Sequence, residues 1–85
     1  MSASTLNSLK KIIKDISENF INRPVDLKDI KPESRFVEDL GFDSLSSLEL
    51  IILCEESFGF DIPDKRIDRI CTVQDMASCI NEYIG

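Results

Sequence analysis

Apolar residues return at helical spacing along most of this chain, and nowhere do they alternate with period two for long enough to make a strand. Leu6, Leu9, Ile12, Ile13, Ile16 and Phe20 fall on one narrow stripe, while Lys10, Lys11, Lys14, Asp15 and Glu18 occupy the other side. This predicts an amphipathic helix of about four turns, capped by Ser2 or Ser4 and stopped before Pro24. A second helix is expected from about Ser44 to Phe58, closed by Gly59. A short third helix should follow Pro63 and turn Ile67 and Ile70 inward. The last should start after Thr72 as N-cap, with Val73, Met76, Ala77, Ile80, Tyr83 and Ile84 on one face. The expected fold is all-α, a small bundle of three longer helices plus one short helix. Its 85 residues suffice for one domain, 1–85, and for no second one.

Between the first two helices, residues 21–43 form a first loop that is long for so small a bundle. Val25, Leu27, Ile30, Phe36, Val37 and Leu40 recur in it often enough to pin it against the helices.

Charge and composition exclude several kinds of chemistry. The chain contains no His, the commonest general base, so Ser-His and Cys-His nucleophile pairs are excluded. Sixteen acids against ten bases give a net charge of −6, which argues against nucleic acid and anionic membrane as partners. Residues 36–64 hold Glu38, Asp39, Asp43, Glu49, Glu55, Glu56, Asp61 and Asp64 with no Lys or Arg among them. Cys54, Cys71 and Cys79 are an odd set without a CxxC pair, expected to be reduced, packed core thiols. The longest apolar run, Leu50 to Cys54, is far too short to span a membrane. The first residues lack a signal-peptide stretch, so a cytoplasmic protein is expected, although a targeting segment already removed would leave no trace; a monomer is expected as well.

The second helix divides into two faces when its residues are placed at 100° steps. Leu50, Ile51, Cys54 and Phe58 make a core face. Roughly opposite lie Leu45, Leu48 and Ile52, interleaved with Glu49, Glu55 and Glu56. Apolar anchors ringed by carboxylates suggest a docking surface for a basic partner; burial of the helix on both faces is the structural alternative. In the turn leading into it, Gly41 permits a left-handed backbone and Asp43 or Ser44 can cap the helix. A calcium loop starting at Asp39 fails, because its sixth position is Ser44 where Gly is needed and its twelfth is Leu50 where Glu is needed. A serine nucleophile fails for want of a base. What the turn could accept is modification of Ser44 by another protein, at a helix start that favours an anion.

The run Phe36-Val-Glu-Asp-Leu-Gly-Phe-Asp-Ser-Leu45, then Leu48-Glu49-Leu50, then Glu55-Glu56-Ser57-Phe58-Gly59-Phe60-Asp61-Ile62-Pro63-Asp64, resembles the acyl carrier proteins of dissociated fatty-acid synthesis. The likeness covers nearly the whole chain, including the long first loop and the helix order. It implies 4′-phosphopantetheine on Ser44, with the carried group held as a thioester on the cofactor's own thiol, so that no protein Cys need be reactive. It implies that Asp43 helps a phosphopantetheinyl transferase hold Mg²⁺ and phosphate during loading; no metal is expected to stay bound. It implies that Leu45, Leu48, Glu49, Ile52, Glu55 and Glu56 face the acyl-transferring, condensing and reducing enzymes served. Phe36, Leu50, Leu53, Cys54, Ile62, Ile67 and Ile70 are the candidate lining of an acyl cavity. A carrier needs no catalytic residue, which agrees with the missing His.

Three departures from the family pattern stand out. Ser46 follows Asp43-Ser44-Leu45 where an acid is usual, Cys54 replaces a usual Leu, and the third helix reads Asp64-Lys65-Arg66-Ile67-Asp68-Arg69 where acids are common. They leave room for a carrier dedicated to a specialised lipid, polyketide or aminoacyl group. From a different class, an unmodified helical adaptor would use the same acidic face only to bind proteins.

Overall fold

The structure is a computed structural model that describes residues 3–21 and 25–84. Four helices follow the apolar periodicity: α1 (Ala3–Asn19), α2 (Ser44–Phe58), the single turn α3 (Asp64–Ile67) and α4 (Val73–Ile84). Among the described residues there is no strand, only an isolated antiparallel bridge between Arg35 and Thr72. The fold is therefore all-helical, with three longer helices and one short one.

The α1 stripe is real but ends early. Leu9, Ile13 and Ile16 are fully buried and pack α1 against both α2 and α4, while Leu6 and Ile12 sit at the edge of that core. Phe20 is not part of the stripe: it lies beyond the helix end and is 53% exposed. Ser4 lies within the helix, so it cannot be its N-cap; Ser2 and Pro24, also assigned to the ends of this helix, fall outside the described residues. The core continues through Leu50, Ile51 and Cys54 of α2 and Val73, Met76, Ala77, Cys79 and Ile80 of α4. Phe58, expected in that core, is half-buried at its margin. Tyr83 leaves the α4 stripe as well, half-exposed and stacked on Phe60 with ring centroids 5.1 Å apart.

The first loop is held by its backbone as much as by its side chains. Leu27–Asp29 form one 3₁₀ turn against α1, and Ile30 is fully buried behind it. The Phe36 amide then donates to the Cys71 carbonyl (3.0 Å), and the amides of Val73 and Gln74 donate back to Ser34 and Pro32 (both 2.9 Å). This stitch ties the loop to the start of α4. Phe36, Leu40 and Phe42 are buried, the two rings 5.5 Å apart. Leu27 and Val37 do not pin the loop as expected: both are exposed, Val37 to 60%. α4 begins with a reciprocal cap in which Asp75 accepts from the Cys71 and Thr72 amides and Thr72 Oγ1 accepts from the Asp75 amide.

Candidate functional site: the start of the second helix

Two residues at the turn into α2 could cap it, and the structure gives that task to Asp43. Its Oδ1 accepts from the Ser46 amide (2.8 Å) and from Ser46 Oγ (2.7 Å), while Ser46 Oγ accepts from the Asp43 amide (2.9 Å). The result is a reciprocal capping box in which Ser takes the place of the usual Glu or Gln at the third helical position. Hydrogen bonds from the Ser46 amide and hydroxyl hold the Asp43 carboxyl below its ordinary value of 3.8, against a small opposing effect of burial. Gly41, at φ 76°, supplies the left-handed bend that brings the chain out of the buried Phe36–Phe42 pair into this cap.

Because Asp43 does the capping, Ser44 is left as the first residue of α2 with its side chain exposed and without a hydrogen bond among the described residues. The departure at Ser46 is thus structural: this side chain is only 2% exposed and serves the cap. One expectation changes. The Ser46 amide is not free to receive an anion, since Asp43 already occupies it.

Beyond Ser44, the outward face of α2 carries the apolar residues expected of it. Leu45, Leu48 and Ile52 are 70%, 54% and 39% exposed, Glu56 is exposed and Glu49 half-buried beside them. The alternative of a helix buried on both faces does not hold. Glu55 differs from the other acids: its Oε2 accepts from the Ile62 amide (2.8 Å), pinning the 59–63 turn to the end of α2. Gly59 makes that turn possible at φ 71°.

One turn along α2 from Ser44, Ser47 sits at the wall of an apolar cavity of about 170 Å³. Four of the seven expected lining residues are in its wall: Phe36, Leu50, Ile67 and Ile70. Leu53, Cys54 and Ile62 are not; Cys54 and Ile62 are buried core, and Leu53 is half-buried at its edge. The wall also includes Val37, Glu38, Ser47, Ile51, Cys71 and Met76. Ser47 and Ile51 share the face of α2 that carries Leu50, so the helical wheel contains the signal for them. Cys71 and Glu38 join through the backbone stitch, for which the sequence has no local sign.

The cysteines divide. Cys54 and Cys79 are buried, and burial pushes the Cys54 thiol up to about 12 and raises that of Cys79, the latter partly offset by Arg66. Cys71 is exposed, contrary to the expectation of three core thiols. Among the described residues no cluster of acids and thiols could hold a metal, and no helix is long and apolar enough to cross a membrane.

Comparison with known proteins bears on this geometry. A family model described as a phosphopantetheine attachment site matches residues 9–80. The acyl carrier protein of Thermosynechococcus vestitus is 40% identical over 80 residues, covering 94% of this chain and 91% of its own. That of Helicobacter hepaticus is 48% identical over 56 residues, covering 66% of this chain and 74% of its own. A solved structure from Mycobacterium tuberculosis, assigned as an acyl carrier protein, superposes with a TM-score of 0.80 at 25% identity, over 93% of this chain and 97% of that one. With its all-helical fold and nearly its whole length matched in this way, the chain belongs to the acyl carrier protein family, whose members carry acyl groups on 4′-phosphopantetheine.

Proposed function

We propose that Ser44 is the residue that bears the phosphopantetheine, and that the 85 residues form one carrier domain working as a monomer. The observation that carries this is the division of labour at the α2 start: Asp43 satisfies the cap, so the Ser44 hydroxyl stays exposed and uncommitted. An exposed hydroxyl can take a phosphodiester without breaking a native hydrogen bond, and the helix start favours the phosphate's charge. When bound, the group supplies a flexible arm ending in a thiol, on which an acyl group is held as a thioester. The protein's own residues hold, present and shelter that cargo. Asp43, kept ionised by Ser46, is suited to help a transferase position Mg²⁺ during loading.

Leu45, Leu48 and Ile52 would seat in an apolar patch on each client enzyme, with Glu49 and Glu56 steering a basic rim toward them. Glu55 would add charge to this surface while anchoring the 59–63 turn. The clients are a phosphopantetheinyl transferase and the acyl-transferring, condensing and reducing enzymes of fatty-acid or related synthesis. The chain itself performs no catalysis in this reading. Free thiols suit a reducing compartment such as the cytoplasm.

The test is intact-mass measurement of the protein made together with a phosphopantetheinyl transferase. The expected result is a gain of one phosphopantetheine that Ser44→Ala abolishes; a gain that survives the substitution would place the attachment elsewhere. An unmodified adaptor would instead show no gain and would keep its partners when Ser44 is replaced.

A further inference from the structure

We propose that the groove between α1 and the 3₁₀ turn at Leu27–Asp29 binds a small soluble anion carrying a diphosphate group. The groove has a volume of about 340 Å³ and is lined by Asn7, Lys10 and Lys11 of α1 and by Leu27 and Lys28 of the turn. It shares no lining residue with the cavity at Ser47 and none with the outward face of α2, so it is a second site that needs no modification of Ser44.

The lining contains three cations and no acid, in a chain with sixteen acids and ten bases. Two elements bring the cations together. Asn7 stands three and four residues before Lys10 and Lys11, on one side of α1, and the turn packed on α1 adds Lys28. None of the three ammonium groups has an ion pair or hydrogen bond among the described residues. Lys14, one turn on from Lys10, is by contrast taken by Glu18 and drawn further by Asp26 and Asp15. Asp26 and Asp29 flank Leu27 and Lys28 in sequence, and both are exposed, yet neither is part of the groove lining. Like charges held in one groove repel each other, and an anion seated among them removes that repulsion.

The lining also selects among anions. Lysine is a compact point charge with three donors, suited to phosphate oxygens, and the Asn7 carboxamide adds a neutral donor. Three ammonium groups exceed the charge of one phosphate, about −1.5 to −2, and so favour a second phosphoryl group. Leu27, 39% exposed, gives an apolar wall beside them for the organic part of the ligand. A small anion sits wholly within a Debye length, about 8 Å, of the three ammonium groups, which therefore dominate its interaction. A nucleic acid or an anionic bilayer would extend past them over a molecule of net charge −6 and be repelled.

The experiment uses the full chain in magnesium-free buffer with inorganic pyrophosphate as the probe. Sodium chloride at matched ionic strength is the reference, so that general screening is subtracted. At about ten times its dissociation constant, pyrophosphate should raise the melting temperature about 6–11 °C above the reference. Orthophosphate at the same concentration should raise it less. Lys10→Gln, Lys11→Gln and Lys28→Gln should each weaken pyrophosphate binding about two- to fivefold by calorimetric titration. The triple variant should lose the added thermal shift. Lys31→Gln, Lys65→Gln and Arg69→Gln combined remove the same charge from unpaired bases outside the groove and should keep it. Amide NMR signals should shift on titration at residues 7–11 and 27–28 and stay still at residues 44–56.

A response to pyrophosphate no larger than that to chloride, or one that both triple variants retain equally, would overturn the proposal. Shifts confined to α2 or α3 amides would place the anion elsewhere and overturn it too. So would lysine-dependent sedimentation with vesicles of phosphatidylcholine and phosphatidate in the absence of a pyrophosphate response, which would assign the groove to a lipid headgroup. None of these outcomes bears on carriage at Ser44.

Discussion

Ser46 shows how a single side chain can look like a departure and prove to be a structural choice. The sequence marks it as a Ser where the family usually has an acid; the structure closes the capping box with it. Ser46→Ala should cost about 1 kcal/mol and lower the melting temperature by about 4–8 °C, while leaving Ser44 open to modification. The cap also has a pH signature. Asp43, Asp39 and Asp75 all have carboxyls held below the ordinary 3.8 by hydrogen bonds, from Ser46, from Arg35 and from the Cys71 and Thr72 amides, the last against the opposing effect of burial. Their folded-state values lie below the unfolded ones, so their stabilisation is complete above 3.8 and is lost as pH falls toward the folded values. Thermal melts between about pH 5 and about pH 3 should show this fall, and Asp43→Asn, which keeps an acceptor but cannot ionise, should show a shallower one. A melting temperature unchanged over that range would contradict the assignment. The identity of Ser44 as the uncapped, exposed serine was half legible: the sequence narrows the cap to Asp43 or Ser44, and only the hydrogen-bond geometry separates them.

At the scale of the helix, α2 is where periodicity was most informative. Its exposed Leu45, Leu48 and Ile52 and its buried Leu50, Ile51 and Cys54 follow from 100° steps alone. Periodicity fails where an element ends: Phe20 continues the α1 stripe in sequence but lies beyond the last turn, and Tyr83 finds an aromatic neighbour outside the core. It also cannot distinguish acids that face solvent from one that reaches the backbone. Glu55 belongs to the acidic face by position, yet it spans from α2 to the Ile62 amide. Charge reversal therefore separates the two kinds. Glu49→Lys with Glu56→Lys should slow loading by a basic transferase about tenfold at low salt and leave the melting temperature within a few degrees. Glu55→Lys should slow loading as well and also destabilise the fold, by about 1 kcal/mol. Equal loading rates across all these variants, measured by stopped-flow or by mass, would remove the docking role from this face.

For the molecule as a whole, the distribution of charge is more informative than its total. Eight of the sixteen acids lie within residues 36–64 and all ten bases lie outside that segment. The bases are themselves partly engaged: Arg66 pairs with Glu82 at 2.6 Å, Arg35 with Glu38 and Asp39, and Lys14 with Glu18. Within the acid-rich segment only Glu38 and Asp39 have such relief among the described residues, from Arg35, so added salt or Mg²⁺ should raise the melting temperature; a flat response to both would contradict this. The helix order and most of the core were legible because α1, α2 and α4 are long and periodic. The cavity was less so, because its wall is assembled from α2, α3, α4 and two loop segments that meet through the stitch between residues 32–36 and 71–74.

The same charge distribution makes the central claim directly measurable. Trypsin cuts after Lys and Arg, and none occurs between Arg35 and Lys65, so one peptide, Phe36–Lys65, carries Ser44 together with Ser46, Ser47 and Ser57. Fragmentation of that peptide, from protein produced with a phosphopantetheinyl transferase, should place the whole added mass on Ser44. Added mass on Ser46, Ser47 or Ser57, or none on the peptide at all, would contradict the account.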